Sequence, residues 1–205
     1  MLAILHGAGW PIWPLLATSF IGLALIVERA LSLRRSKVMP PDLFDEVANL
    51  LRRNHVSPDV IAGIEADSPL GRVLAAALRN RHLPRAELTA ALEEAGRPVA
   101  HELHRYLGAL GTIAALGPLM GLFGTVIGLI EIFSAWSPTG SDPTQLARGI
   151  SIALYNTALG ILVAIPAVIF QRLYRGRVAD YIVQMEQLAA RLVQFVRVSQ
   201  RDGAM

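Results

Sequence analysis

The residues of this sequence that could do chemistry lie mostly inside long apolar stretches. Thr125 and Glu131 lie in the stretch 106–133, where Glu131 is the only charged residue. A threonine in an apolar helix either bonds back to a carbonyl one turn earlier or offers its hydroxyl to a neighbour. Both readings of Thr125 are open from the sequence alone.

Glu131 lies near the end of its stretch, where burying a carboxylate costs less than at a bilayer centre. It follows Thr125 by six positions, so at ~100° per residue it points about 120° away from the hydroxyl. We therefore expect Glu131 to be a rim charge that pairs with Arg148 across the following hairpin, rather than a proton relay.

His101 and His104 share a helix face, with Glu102 between them. Structural zinc needs four ligands and catalytic zinc three, and no further ligand is evident nearby, so we expect surface histidines and no metal site. The sequence has no cysteine, which excludes disulfides and thiolate sites. No nucleophile–base set or phosphate-binding loop is apparent, so neither an enzyme nor a cofactor is expected.

The elements that must position these residues are membrane helices. The 25 uncharged residues of 106–130 would form a helix of roughly 37 Å, longer than the ~30 Å hydrocarbon layer. The 23 uncharged residues of 149–171 and the 18 residues of 10–27 are also long enough to span. A hydrophobic content of 53% and a mean hydropathy of +0.45 agree with this. The fold class expected is an all-α membrane protein with three transmembrane helices.

Small residues recur at helical spacing in both longer stretches. Such stripes let helix backbones approach closely in lipid, where apolar burial alone drives no association. The packing positions expected are Gly117, Gly121, Gly124, Gly128, Gly149, Ala153, Gly160 and Ala164.

The distribution of basic residues sets the expected orientation. Twelve of the nineteen Lys and Arg lie in 28–105 and six in 172–205, whereas Arg148 alone lies on the other side. The positive-inside rule places the loop and the tail in the cytoplasm and the amino end outside. It also explains a pI near 9.8 without nucleic acid, because no basic patch is interleaved with aromatic residues. The bounds expected are an outer amino end 1–9, spans 10–27, 106–133 and 149–171, a cytoplasmic helical loop 28–105, an outer link 134–148 and a cytoplasmic helical tail 172–205.

The polar segments also carry helix signals. Ser57-Pro58 and Ser68-Pro69 each place a capping hydroxyl before a proline at the first helical position. Gly96 and Pro98 predict a kink or break in the helix that leads into the second span. In the tail, a heptad seam predicts that the third span continues as one long helix that packs against another helix, either within the chain or between copies. Its positions are Tyr174, Val178, Tyr181, Met185, Leu188, Leu192 and Phe195.

These features resemble the MotA/TolQ/ExbB proton-channel family, closest to its ExbB and TolQ branch. The resemblance rests on the three-span layout, the Glu28-Arg29 pair after the first span, GLFGTVIGLIEIF in the second and GISIALYNTALGILVAIPAVIF in the third. It implies an inner-membrane motor subunit that forms a homopentamer around two copies of a single-span ExbD- or TolR-type partner. The partner's transmembrane aspartate would carry protons, and a TonB- or TolA-type protein would convey the force outward.

By match of position, the resemblance implies that Thr125 and Thr157 face the pore. The sequence departs from the family at Ile152, where ExbB and TolQ proteins usually carry a glutamate five residues before the threonine. Flagellar stator proteins of the family also lack this carboxylate. Asn156, one turn from Ile152, would either serve the pore by bonding water or the partner's aspartate, or pack as an interhelical amide.

A second interpretation is a non-conducting membrane scaffold that oligomerises and anchors other proteins. The absence of the glutamate at Ile152 keeps this alternative open. A neighbouring gene for a single-span protein with a membrane-embedded aspartate would favour the channel.

Overall fold

A computed structural model describes residues 8–53, 55–134 and 143–202 of the chain, with side chains up to residue 196. These residues form helices and no strand, and three helices are long and apolar enough to cross a membrane. The predicted fold class is therefore confirmed. The helices are α1 (Ile12–Ser32), α2 (Arg35–Val38), α3 (Leu43–Arg52), α4 (Pro58–Asp67), α5 (Pro69–Arg79), α6 (Arg85–His104), α7 (Leu107–Ser134) and α8 (Pro143–Asp202).

The predicted spans lie largely within α1, α7 and α8, and all three helices extend past them. The 60-residue α8 begins at Pro143, inside the stretch expected to be an outer link. Proline suits the first turn of a helix because the N–H that it lacks has no partner there. Residues 1–7 of the expected amino end and 135–142 of the link lie outside the described residues.

The chain divides into two compact units. The apolar unit consists of Met1–Arg29 and Tyr106–Leu173, which hold most of α1, α7 and the first half of α8. The helical unit consists of Ala30–Arg105 and Tyr174–Met205, which hold α2 to α6 and the second half of α8.

In the helical unit, α8 continues as predicted from the heptad seam. Tyr174, Val178 and Met185 are buried, and the Tyr181 hydroxyl donates to the Leu33 carbonyl at 2.9 Å. Since Tyr181 bonds a residue of the same unit, this part of the seam packs within the chain.

Of the kink or break predicted at Gly96 and Pro98, the break does not form. Helix α6 runs without interruption from Arg85 to His104, and Pro98 is exposed. Pro98 has no N–H to donate to the Glu94 carbonyl. Glu94 is also exposed, so water can donate to that carbonyl instead. The chain leaves the helix at Arg105–Tyr106 instead, and Tyr106 adopts a left-handed φ of 63°.

Tyr106 lies beside a buried charge in the apolar unit. Arg29, which is 4% exposed, places its guanidinium carbon 5.3 Å from the Tyr106 ring centroid. Its Nη2 also donates to Glu28 Oε1 at 2.7 Å. A desolvated guanidinium gains from both an aromatic face and a carboxylate, so these contacts anchor the end of α1 against the start of α7.

Both predicted serine caps are confirmed. The buried Ser68 Oγ accepts the Gly71 N–H at 3.0 Å at the start of α5, and the exposed Ser57 Oγ accepts the Val60 N–H at 3.4 Å at the start of α4.

We expect Ser68→Ala to lower the free energy of unfolding by about 1 kcal/mol, since the Gly71 N–H loses its acceptor in a buried place. Ser57→Ala is the matched control, and its longer, solvated bond predicts a smaller loss. Denaturant unfolding of the two purified variants measures the difference. An equal or larger loss for Ser57→Ala would contradict the assignment of Ser68 as the stronger cap.

Candidate ion pathway

Helices α7 and α8 touch through backbone atoms because glycines line both sides of their contact. A methyl group added to Gly160 would lie 2.6 Å from the Gly117 carbonyl oxygen and 2.9 Å from Gly121 Cα. One added to Gly121 would lie 3.0 Å from the Asn156 carbonyl oxygen. Since a real Cβ essentially never comes closer than 3.0 Å to another atom, Gly160 accepts only glycine without the helices moving apart, and a Cβ at Gly121 would require its neighbours to shift by a few tenths of an ångström.

The same contact extends along both stripes of small residues. A methyl group on Gly128 would lie 2.6 Å from the Gly149 carbonyl oxygen and 3.1 Å from Ala153 Cβ. One on Gly117 would lie 3.2 Å from Ala164 Cβ, and one on Gly124 would overlap the Asn156 side chain. The structure thus brings together all eight small residues named from the sequence.

Helix α1 lies against one side of this pair of helices. The hydroxyl of Thr18 on α1 donates to Met120 Sδ on α7 at 3.7 Å. Gly22 on α1 lies against the side chain of Ile113 on α7. Just before α1, Gly9 lies against the side chain of Ile152 on α8. Gly9 has a φ of +69°, a conformation that glycine adopts without a Cβ penalty.

Thr125 and Thr157 lie on the side of the α7–α8 pair away from α1. Thr125 follows Met120, which contacts α1, by five positions, so at ~100° per residue it lies about 140° around α7 from that contact. In the same way, Thr157 lies about 140° around α8 from Ile152, which contacts the segment just before α1. The glycine contact between α7 and α8 lies between the side that faces α1 and the side that carries the two threonines. We call this side, defined by Thr125 and Thr157, the threonine flank.

Both threonine hydroxyls donate to their own helix and remain partly exposed. Thr125 Oγ1 donates to the Leu122 carbonyl at 2.6 Å and Thr157 Oγ1 to the Ala153 carbonyl at 3.1 Å. A hydroxyl whose proton is used in this way still presents its oxygen lone pairs. The threonine flank therefore offers two uncharged acceptors on an otherwise apolar surface.

Asn156 is placed differently from the two threonines. It is 0% exposed, and its Nδ2 donates to the Ala8 carbonyl at 2.7 Å and to the Ile152 carbonyl at 2.8 Å. Its Oδ1 has no hydrogen-bond partner within the described part of the chain. In the single subunit Asn156 is thus an interhelical amide and does not lie on the threonine flank.

Ile152 is also fully buried, against Gly9. Its side chain points about 140° away from Thr157 around α8. A carboxylate at this position would face the segment before α1, whereas isoleucine fills the same space with apolar contacts.

Glu131 and Arg148 are both described, and no ion pair joins them, whereas ion pairs do form between Glu28 and Arg29, Arg72 and Glu102, and Arg79 and Glu65. Arg148 is exposed and Glu131 partly so, which lets water solvate both charges without a partner. The expected pair is therefore not formed in the single subunit.

The two histidines considered as metal ligands are exposed. His104 Nδ1 lies 2.9 Å from the Ala100 carbonyl oxygen. The described residues contain no group of three or more His, Cys, Asp or Glu that could hold a metal ion.

The sequence did not indicate the role of Ala8 and Gly9. The Ala8 carbonyl bonds a side chain 148 positions away, and no local pattern reports such a contact. Gly9 shortly before Pro11 was a signal for a turn, since both residues favour turns.

Comparison with known proteins shows which family the chain belongs to. Residues 65–187 match the model of the MotA/TolQ/ExbB proton channel family. The chain is 34% identical over 168 residues to the biopolymer transport protein ExbB-like 3 of Synechocystis sp., covering 80% of this chain and 79% of that protein. It is 28% identical to an ExbB homolog of Methanothermobacter thermautotrophicus over 91% of this chain and 67% of that protein.

A further match is to ExbB of Salmonella typhimurium, with 34% identity over 103 residues, which cover 50% of this chain and 42% of that protein. With its three apolar helices and these matches, the chain is a multi-pass inner-membrane protein that belongs to the MotA/TolQ/ExbB proton channel family.

Proposed function

We propose that the chain is an ExbB-like proton-channel subunit whose threonine flank lines a pore between copies of itself. The observation that carries the proposal is the position of Thr125 and Thr157, both on the side of the α7–α8 pair that α1 leaves open. The copies form a ring, which the resemblance to the family implies is a homopentamer. In this ring the threonine flank faces the common axis and α1 faces lipid.

The exposed apolar side chains of the apolar unit support an assembly in a membrane. Leu122 is 59% exposed on α7 and Leu162 is 66% exposed on α8. Phe20 on α1 is 76% exposed. Surfaces of this kind are stable only against lipid tails or against other copies of an apolar helix.

The titrating group of the channel belongs to a partner. Within 106–133 and 149–171 the only acid is Glu131, which points about 120° away from Thr125. Protons therefore need a carboxyl group from elsewhere, which an ExbD- or TolR-type single-span protein in the central pore supplies. Two copies of such a partner are what the resemblance implies.

The threonine hydroxyls serve that carboxyl group in both of its states. While each hydroxyl donates to its own helix, its oxygen accepts the O–H of a protonated carboxylic acid. When the acid ionises, the hydroxyl rotates and donates to the carboxylate instead, giving up its bond to the carbonyl. The threonine side chain itself does not titrate, so it stabilises the partner's carboxylate without taking up the proton.

The energy available is sufficient for mechanical work. Each proton that crosses 100 mV releases about 2.3 kcal/mol, several times thermal energy. We propose that the flow rotates the partner relative to the ring and that a TonB- or TolA-type protein conveys the force to the outer membrane. The loop 28–105 and tail 172–205 lie in the cytoplasm and the amino end lies in the periplasm, as the basic residues indicate.

The test is to purify the chain together with an ExbD- or TolR-type single-span protein. Mass measurement of the complex should give a ring of copies around the partner, and proton flux into liposomes should require both proteins. A complex that holds one copy of this chain, or one in which the helices leave no space for a partner, would overturn the proposal.

The alternative function is a non-conducting oligomeric scaffold, and the burial of Ile152 at a position where ExbB and TolQ proteins usually have glutamate favours it. The same reconstitution separates the two. A ring that binds its partner and other proteins but passes no protons under an imposed potential would establish the scaffold.

A further inference from the structure

We propose that Asn156 is a positioning residue that holds α8 in the rotation at which Thr157 faces the threonine flank. Thr157 follows Asn156 directly, so their side chains lie about 100° apart around the helix. Whatever fixes Asn156 therefore also fixes the direction of the Thr157 hydroxyl. The inference rests on the proposed function, because it concerns the pore-facing direction of Thr157.

Asn156 is held from two sides. On one side, its Nδ2 donates to the Ala8 carbonyl, in the segment just before α1. On the other side, its Cβ and Cγ occupy the space that a side chain on Gly124 would need. A turn of α8 about its axis in either direction would break the bond to Ala8 or drive the side chain into α7.

Asn156 Oδ1, which has no hydrogen-bond donor among the described residues, argues that Asn156 does more than stabilise the fold. A buried acceptor without a donor costs about 1–3 kcal/mol, which offsets the gain from the two bonds of Nδ2. An apolar side chain of similar shape would fill the site without this cost. What the amide provides and a leucine cannot is a directional bond to Ala8.

The chain has no cysteine, so a single introduced thiol reports on one position. The experiment uses Thr157→Cys in the full complex in liposomes and measures the rate of labelling by a water-soluble thiol reagent. The second substitutions are Asn156→Leu, which keeps the shape, Asn156→Ala, which adds no bulk beside Gly124, and Asn156→Asp, whose protonated form retains a donor for Ala8.

We expect Asn156→Leu and Asn156→Ala to change the labelling rate of Thr157→Cys by about tenfold, the effect of roughly one lost directional hydrogen bond. Asn156→Asp should restore the rate to within about twofold, because it can again bond Ala8. Labelling of Thr125→Cys on α7 should not change in any of these backgrounds. Ser151→Ala is the matched control, since that serine bonds only its own helix, at the Ala147 carbonyl.

The outcomes separate the two proposals. If Thr157→Cys labels at the same rate with asparagine, leucine and alanine at 156, Asn156 does not position α8 and only this inference fails. If Thr125→Cys and Thr157→Cys change together, Asn156 acts on the general packing, which also overturns it. If Thr157→Cys cannot be labelled in the native background of an intact complex, the pore on the threonine flank is wrong and the inference fails with it.

Discussion

Thr157→Val should reduce proton flux through the reconstituted channel by about tenfold or more, because a hydrogen bond to a charged group contributes about 1.5–3 kcal/mol. Valine keeps the branched shape of threonine and removes only the hydroxyl, so the helix contact at Gly121 is preserved. The partner's carboxylate would then pass this level of the pore without a donor. The measurement is the initial rate of acidification in liposomes that contain the chain and its partner.

Two further variants sharpen this prediction. Thr157→Ser keeps the hydroxyl and should retain most of the flux. Thr112→Val is the matched control, since Thr112 is an exposed threonine on α7 that also bonds its own helix, at the Gly108 carbonyl. Flux that is unaffected by Thr157→Val, or lost equally in Thr112→Val, would contradict a specific role of the threonine flank.

Gly160→Ala should destabilise the subunit through the contact between α7 and α8. Its new Cβ would lie 2.6 Å from the Gly117 carbonyl oxygen, and backbone on both helices would have to separate to accept it. Overpacking of this kind costs about 1–3 kcal/mol, so we expect a fall in Tm of roughly 2–12 °C for a chain of this size.

The control for this prediction is Gly108→Ala on α7, where an added Cβ meets nothing within 4 Å. Alanine stabilises a helix by up to about 1 kcal/mol relative to glycine, so this variant should be neutral or slightly more stable. Thermal unfolding of both variants in the same detergent gives the comparison. If the two substitutions have the same effect, the close helix contact does not limit stability.

The structure also shows where local sequence patterns mislead. Gly96 and Pro98 both disfavour helix, yet α6 includes both residues. On an exposed helix face, water can replace the one backbone hydrogen bond that proline removes. Tyr106, which has no helix-breaking character, is where the chain leaves the helix. The Tyr106 ring packs beside Arg29, a contact between residues far apart in the chain that no local pattern reports.

The three apolar helices, their small-residue stripes and the serine caps could all be predicted from the sequence, because these features depend on composition and on spacing along one helix. The sequence also indicated the family, through two long motifs in the second and third spans. The burial of Asn156, and the placement of Thr125 and Thr157 on one side of the α7–α8 pair, could be known only from the way the helices pack. The physical reason is that spacing gives the angle of a residue around its own helix, whereas the partner that it meets depends on where α1 and the Ala8 carbonyl come to lie.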